Sequence, residues 1–427
     1  MSRFRIGVFM TAANRPPRSL TGIAKELVLC FYIAMVLLMM DRSLENIYPF
    51  FLYATGKRII DLWISFEMHM HVWLKWIIPS VFAVWLIRRN FHVRLGLLLP
   101  IAGVYLASLL TSAISGEVTF RWWNTTELPL MMYLFVTVQC SSRKGLQRLA
   151  FTGNILYSLL LILNAVFMFF PHLYDIISGW APEYFLSADN LTGFPMFFGA
   201  LLAFLDGYYN HSKARMIFYF ILFFANLILI HCASAVMGAF FLLLYLMIPA
   251  VRKIFQKWNF NVFTALSVLL CIFLVGIAEL FFANWDFKIW LHQFFKYKES
   301  IYIRLILWSG VFGECLLKPL FGYGLGSDAA FFARPDTSLT YNAHNAYLQT
   351  WREGGILTLG AIFSVLALFA RKLKNCYDRK LAGFFAVIVF SDLIMMQSAI
   401  TSWFTWYPVL IIVQIASLIC TEQEELS

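Results

Sequence analysis

The chain has 427 residues, of which 61% are apolar, 18% aromatic and 13% charged, and its formal net charge is +10. Soluble domains carry about 25% charged residues, so this composition excludes a water-soluble globular enzyme and fits a chain whose apolar runs have hydrocarbon as their solvent. A charge of +10 would suit nucleic acid in a soluble protein, but here the basic residues lie between the apolar runs, and no nucleic acid is expected as a partner.

A bilayer core takes about 20 mostly apolar residues per helix. In chain order such runs fall at about 23–40, 71–87, 94–114, 126–140, 149–170, 194–210, 215–231, 233–251, 260–282, 353–370, 381–398 and 402–420. They predict an all-α polytopic membrane protein, a single integral membrane domain over 1–427 with about 12 transmembrane helices. Arg3, Arg5, Arg15, Arg18 and Lys25 crowd the start, and no small-residue cleavage site follows the first apolar run. A cytoplasmic N-terminus is therefore expected rather than a cleaved signal peptide.

Short-loop Lys and Arg set orientation. With that N-terminus inside, the inner segments hold those five, then Arg88, Arg89, Arg94, Arg143, Lys144, Arg148, Lys213, Arg215, Arg252, Lys253, Lys257, Arg371, Lys372, Lys374, Arg379 and Lys380, which is 21 of the 33 basic residues. The outer segments hold 16 of the 23 acidic ones, so the basic character is topological. Seven cysteines (Cys30, Cys140, Cys232, Cys271, Cys315, Cys376, Cys420) are scattered without a C-x-x-C pair and mostly inside apolar runs, which gives no disulfide framework and no zinc site.

Three outer segments, about 41–70, 171–193 and 283–352, are too long to be turns. The third, between spans 9 and 10, is the main candidate for chemistry. It opens with Trp285-Asp-Phe-Lys-Ile-Trp290 and continues in a helix-like run from about Glu299 to Leu317, closed by Lys318-Pro319 because proline cannot continue a helix. Within that run Arg304 stands one turn from both Ser300 and Trp308. A guanidinium fork fits phosphate oxygens, although a lone arginine on such a helix more often snorkels or pairs with a carboxylate.

After Pro319, glycines alternate at Gly322, Gly324 and Gly326. Such spacing lets a backbone approach an anion and aim amide donors at it, while an ordinary tight turn is the plainer reading. The spacing is not G-x-G-x-x-G and no nucleotide fold is expected. Next comes Thr340-Tyr341-Asn342-Ala343-His344-Asn345-Ala-Tyr-Leu-Gln349-Thr-Trp-Arg352-Glu353-Gly354-Gly355. If helical from about Asn345, it places Asn345, Gln349, Arg352 and Glu353 on one polar stripe. His344 stands just before it, at the outer mouth of a span, where an imidazole can take a proton near neutral pH. The other seven histidines read as structural or solvated.

The ordered set of Ser300 to Trp308, Lys318-Pro-Leu-Phe-Gly-Tyr-Gly-Leu-Gly-Ser327, and Ala343-His-Asn-Ala-Tyr-Leu-Gln349 with Glu353-Gly354-Gly355 resembles the signature region of the O-antigen ligase and Wzy-type polysaccharide polymerase family. Ser391-Asp392 is similar to a pair often seen in the eleventh span. The resemblance implies a metal-independent inverting glycosyltransferase of the cytoplasmic (inner) membrane, with its site on the extracytoplasmic side and no cofactor. Its donor would be an oligosaccharide on undecaprenyl pyrophosphate, and its partners membrane lipids, a chain-length regulator and a flippase. By the same carry-over His344 would be the base on the acceptor hydroxyl and Arg304 would hold the pyrophosphate. Asn345, Gln349, Tyr341, Gly322, Gly324, Gly326, Trp308 and Arg352 would bind substrate.

Two departures stand out. The family's basic residue between spans seven and eight is replaced by Ala235 in Cys232-Ala-Ser-Ala-Val236, and the segment before span six reads Asp189-Asn190-Leu-Thr-Gly193 without a leading cation. A second phosphate-binding cation would then come from Arg121, Lys298, Arg334 or Arg352. The favoured activity is a polymerase of surface polysaccharide repeat units in O-antigen or capsule biosynthesis, with a ligase acting on a lipid A core of lipopolysaccharide as the alternative. A transporter would show internal repeats and several mid-membrane ionisable groups, whereas only Asp392 lies well inside a span. A metal-dependent transferase using Asp41 and Glu45 lacks a D-x-D there.

Overall fold

A computed structural model describes residues 20–40, 57–90, 93–116, 120–169, 183–184, 187–188, 193–230, 232–294, 299–325, 343–398 and 406–424. These residues form α1 (Leu20–Met40), α2 (Lys57–Arg88), α3 (Leu98–Ile114), α4 (Phe120–Cys140), α5 (Arg143–Phe169), a two-residue antiparallel hairpin of β1 (Glu183–Tyr184) and β2 (Ser187–Ala188), α6 (Gly193–Tyr209), α7 (Lys213–Leu229) and α8 (Ala233–Met247). The chain continues as α9 (Pro249–Lys257), α10 (Phe260–Ala283), α11 (Trp285–Phe294), α12 (Glu299–Leu317), α13 (Ala346–Asn375), α14 (Arg379–Met395) and α15 (Tyr407–Glu424). Each of the twelve predicted spans overlaps one of these helices.

Length is where the helices differ. Those containing Thr21–Leu38, Arg143–Val166, Phe260–Phe281 and Ala346–Asn375 are long and apolar enough to cross a membrane alone, and α8 with α9 makes a fifth if the bent pair is one span. Helices of 17 residues such as α6, α7 and α14 rise about 25 Å, short of a hydrocarbon core of about 30 Å. A count of twelve is thus not established by length and apolarity. The molecule is a multi-pass helical membrane protein, and its outward faces agree: Phe31, Leu106, Ile228, Ile272 and Phe273 are each more than 60% exposed, as large apolar side chains facing lipid would be.

Two interruptions correct the span reading. The run 233–251 is not one helix: α8 stops at Met247 and α9 leaves at 104°. Pro249 at the first turn of α9 cannot donate into the preceding ladder. The carbonyls of Tyr245 and Leu246 freed there accept from Arg252 Nε at 3.3 Å and Nη2 at 2.6 Å. The second break is Gly355 inside α13, at φ +64°.

In the centre, α14 is buried from Leu381 to Met395, and α15 from Val409 to Cys420. Around them α5 packs on α6 and α7, α14 on α8 and α9, α15 on α4 and α13, and α13 on α3 and α12. A buried ionic knot ties α5, α6 and α7: the fully buried Asp206 accepts from Arg215 Nε (2.8 Å) and Nη2 (3.0 Å), Asn154 Nδ2 (2.8 Å) and Asn210 Nδ2 (2.7 Å). Every lone pair direction of that carboxylate is answered, which is what keeps a charge tolerable in such a place.

Candidate active site

The run 299–317 forms α12 as the sequence predicts, and Asn345 caps α13. The Asn345 Oδ1 accepts from the amides of Tyr347 (3.0 Å) and Leu348 (3.1 Å), and its Nδ2 donates to the Gln397 carbonyl at 3.1 Å. The tie to Gln397 fixes the start of α13 against the end of α14, reinforced by Ala346 N to Met396 O at 2.9 Å.

His344, just before that cap, has φ +46°. A side chain in the left-handed region costs about 1–2 kcal/mol, and the neighbours on both sides supply the hold. The Ala343 amide donates to Gln349 Oε1 at 2.9 Å, the Ala343 carbonyl accepts from Trp308 Nε1 at 3.0 Å, and Asn345 is held as above. Trp308 lies one turn after Arg304 on α12, so the same contact that fixes the His344 backbone brings Arg304 alongside. Burial first, and the Arg304 charge second, push the His344 imidazole below its ordinary value of 6.5. It is neutral near pH 7, the form that can accept a proton.

The turn after α12 closes the break in α13. The amides of Tyr323 and Gly324 donate to the carbonyls of Arg352 (2.8 Å) and Glu353 (2.9 Å), and the amides of Ile356 and Leu357 donate to Pro319 O (2.9 Å) and Leu320 O (3.3 Å). Glycine is required at both crossing points: a Cβ on Gly322 (φ +68°) would strike the Arg352 carbonyl and one on Gly355 the Leu320 carbonyl. At Gly322 and Gly324 the tight turn, the plainer of the two readings, is what forms, and the anion cradle does not. The Gly322 amide goes to Lys318 O (3.1 Å) and that of Leu325 to Ser112 Oγ (2.9 Å), so the amides of residues 322–325 are already occupied. Gly322 by close packing and Gly324 by its hydrogen bond join this turn to the break in α13.

Other candidates also turn inward. Trp308, Asn345 and Gln349 are at most 6% exposed, and their polar atoms hold the loop; Gln349 Nε2 also donates to Glu353 Oε1 at 2.8 Å, which brings two members of the expected polar stripe together. Arg352 is 2% exposed, with its guanidinium carbon 5.4 Å from the centre of the Tyr323 ring, behind the site rather than on its surface. Ser391 and Asp392 are fully buried in α14. Tyr341, Gly326, Lys298 and Arg334 lie outside the described residues, as does the side chain of Arg121.

Sequence reading missed the α3 contribution. Ser112 receives Leu325, and Ser115 Oγ donates to the Gly322 carbonyl at 3.1 Å. The signal was present as Ser108, Thr111, Ser112 and Ser115, a helical polar stripe in the C-terminal half of an apolar helix. Among the described residues no group of three His, Cys, Asp or Glu side chains could hold a metal.

Fold and site define a multi-pass helical membrane protein with a preorganised imidazole and guanidinium at one end of its bundle. Residues 218–363, from α7 to the middle of α13, match the family model described as O-Antigen ligase, so this segment is similar to that family. The match contains Arg304, the 318–325 turn and His344. No curated protein and no solved structure matches the chain.

Proposed function

We propose that the protein is a polymerase of surface polysaccharide repeat units that transfers glycan from undecaprenyl pyrophosphate to an acceptor sugar hydroxyl. The observation that carries this reading is His344, held neutral and in a strained backbone conformation beside Arg304 within the segment matched to the family. The acceptor oxygen attacks the anomeric carbon on the face opposite the leaving group and so inverts it. As the new C–O bond forms and the bond to the pyrophosphate oxygen breaks, the hydroxyl proton passes to His344, and Arg304 stabilises the charge that develops on the pyrophosphate. Trp308, Asn345 and Gln349 position these two groups.

In this reading there are twelve spans, the eighth being α8 without α9, 283–352 is the extracytoplasmic catalytic loop, and the membrane is the cytoplasmic one. A flippase that delivers donor and a chain-length regulator are its partners. The chemistry needs no metal, so activity of purified protein on lipid-linked repeat units is expected to survive chelator; loss with recovery on manganese or magnesium would overturn that point.

The second reading, a ligase that moves finished glycan to a lipid A core, is favoured by the description of the matched family. Against a close ligase match, the position where the family often carries a cation is Ala235, fully buried and close to Gly193. The surface glycan of a deletion strain, run as a ladder, separates the two. A single repeat unit on the core means polymerase, loss of all attached glycan with lipid-linked polymer retained means ligase, and an unchanged ladder sinks both.

A further inference from the structure

At the far end of α13 from His344 a separate cavity of about 160 Å³ opens between α9, the start of α10, the end of α13 and the start of α14. Its lining mixes apolar Phe255, Phe260, Leu373 and Ala386 with polar Gln256 and Asn259 and the cations Lys257, Lys374 and Arg379. We propose that this cavity binds the phosphodiester headgroup of an anionic phospholipid at the membrane surface.

Charge is the first argument. Arg379 Nη1 is engaged by the last carbonyls of α13, Leu373 O at 3.0 Å and Lys374 O at 3.1 Å, and so serves the helix end. Lys257 and Lys374 are exposed and have no acidic partner among the described residues. Asp378, the acid in the adjoining loop, faces elsewhere: it caps α14 through the Lys380 and Leu381 amides and accepts from Tyr208 Oη at 2.5 Å. Two ammonium groups thus meet at a cavity with no carboxylate in its lining.

Shape and surroundings say which phosphate. The 104° bend lays α9 across the end of the bundle, and the Arg252 contacts to Tyr245 and Leu246 hold it there. Its inward face packs through Phe255, stacked on Phe263 at 4.5 Å, while Lys253 and Lys257 are exposed, the amphipathic arrangement of a helix lying in a membrane surface. Trp258 (52% exposed) lines the cavity and Tyr377 (78% exposed) stands in the adjoining loop, as interfacial aromatics do. The cavity, at about 160 Å³, is smaller than the roughly 300–1,000 Å³ of ordinary small-molecule sites and has room for a phosphate headgroup whose acyl chains stay in the surrounding bilayer. The site rests on the membrane reading and not on glycosyl transfer, so failure here would leave the catalytic reading untouched.

The test uses the purified full-length protein in detergent, with phosphatidylglycerol or phosphatidylcholine added and bound lipid counted by native mass spectrometry. Phosphatidylglycerol is expected to bind at least fivefold tighter than phosphatidylcholine. Each of Lys257→Gln and Lys374→Gln should cut that preference about fivefold, and Lys253→Gln, on the same helix but outside the cavity, should leave it unchanged. Equal retention of the two lipids by the wild-type protein would overturn the proposal without recourse to any variant. So would unchanged preference in both cavity variants, or displacement of phosphatidylglycerol by millimolar inorganic phosphate, which would mark a soluble phosphate as the ligand.

Discussion

His344 combines a left-handed backbone, a partly buried ring and a neighbouring cation, and each has a consequence that can be measured. Burial and the Arg304 charge both favour the neutral imidazole, so the folded pKa lies below 6.5. For a general base, kcat/KM then stays high as pH falls to 6.5 and declines only below it. Acid also lowers stability in this range, because the unfolded chain takes up the proton before the folded one does. Arg304→Gln removes the charge and keeps much of the length, so the acid limb of kcat/KM should move to higher pH while turnover falls. A limb that stays in place would mean that Arg304 does not act on His344. His344→Ala should lower turnover by about 100-fold or more, since proton transfer of this kind contributes about 10²–10⁴-fold, with donor binding nearly intact. Near wild-type polymer from that variant would move the search for the base to Asp328, Asp336 or Glu353. Both variants are first checked for normal insertion and accumulation.

At the scale of elements, the site depends on two chain segments that exchange hydrogen bonds, the 318–325 turn and the break in α13. Gly355→Ala forces a side chain into a left-handed position and against the Leu320 carbonyl, so it should lower the unfolding temperature in detergent and reduce activity. Gly360→Ala lies on the same helix with open space around it and should be neutral or slightly stabilising, as alanine favours helix by about 1 kcal/mol over glycine. Equal effects from the two would show that the break is not needed. Local signals made much of this region legible. Pro319 marks the end of α12, Asn345 the start of α13, and the order of Arg304, the glycines and His344 falls within the segment matched to the family. The identity of what occupies the 323 and 324 amides was not legible, because a glycine turn looks the same whether its donors meet an anion or another helix's carbonyls. The bend at Pro249 was hidden for a different reason: a hydropathy window sums apolar side chains and does not register a lost backbone donor.

Across the whole molecule, apolarity does not distinguish the centre of the bundle from its periphery. The helices α14 and α15 are apolar because protein surrounds them, and α1 because one face meets lipid, with Leu27, Val28 and Phe31 each at least 65% exposed. That is why every predicted span found a helix, while helix length supports only four or five crossings unaided. What fixes the crossings is sidedness, and the 21 to 12 division of basic residues predicts it: termini and the 371–380 loop inside, 283–352 outside. A membrane-impermeant maleimide should therefore label Asp336→Cys on intact cells and reach Lys374→Cys only after permeabilisation. The background is favourable, since six of the seven native cysteines are buried and Cys30 is half-buried, and unsubstituted protein supplies the baseline. The two ends of α13 make the comparison strict, because 374 terminates the helix that starts beside His344. Labelling at 374 from outside and protection at 336 would put the imidazole in the cytoplasm, away from any acceptor displayed on the outer face, and the proposed transfer would fall with it.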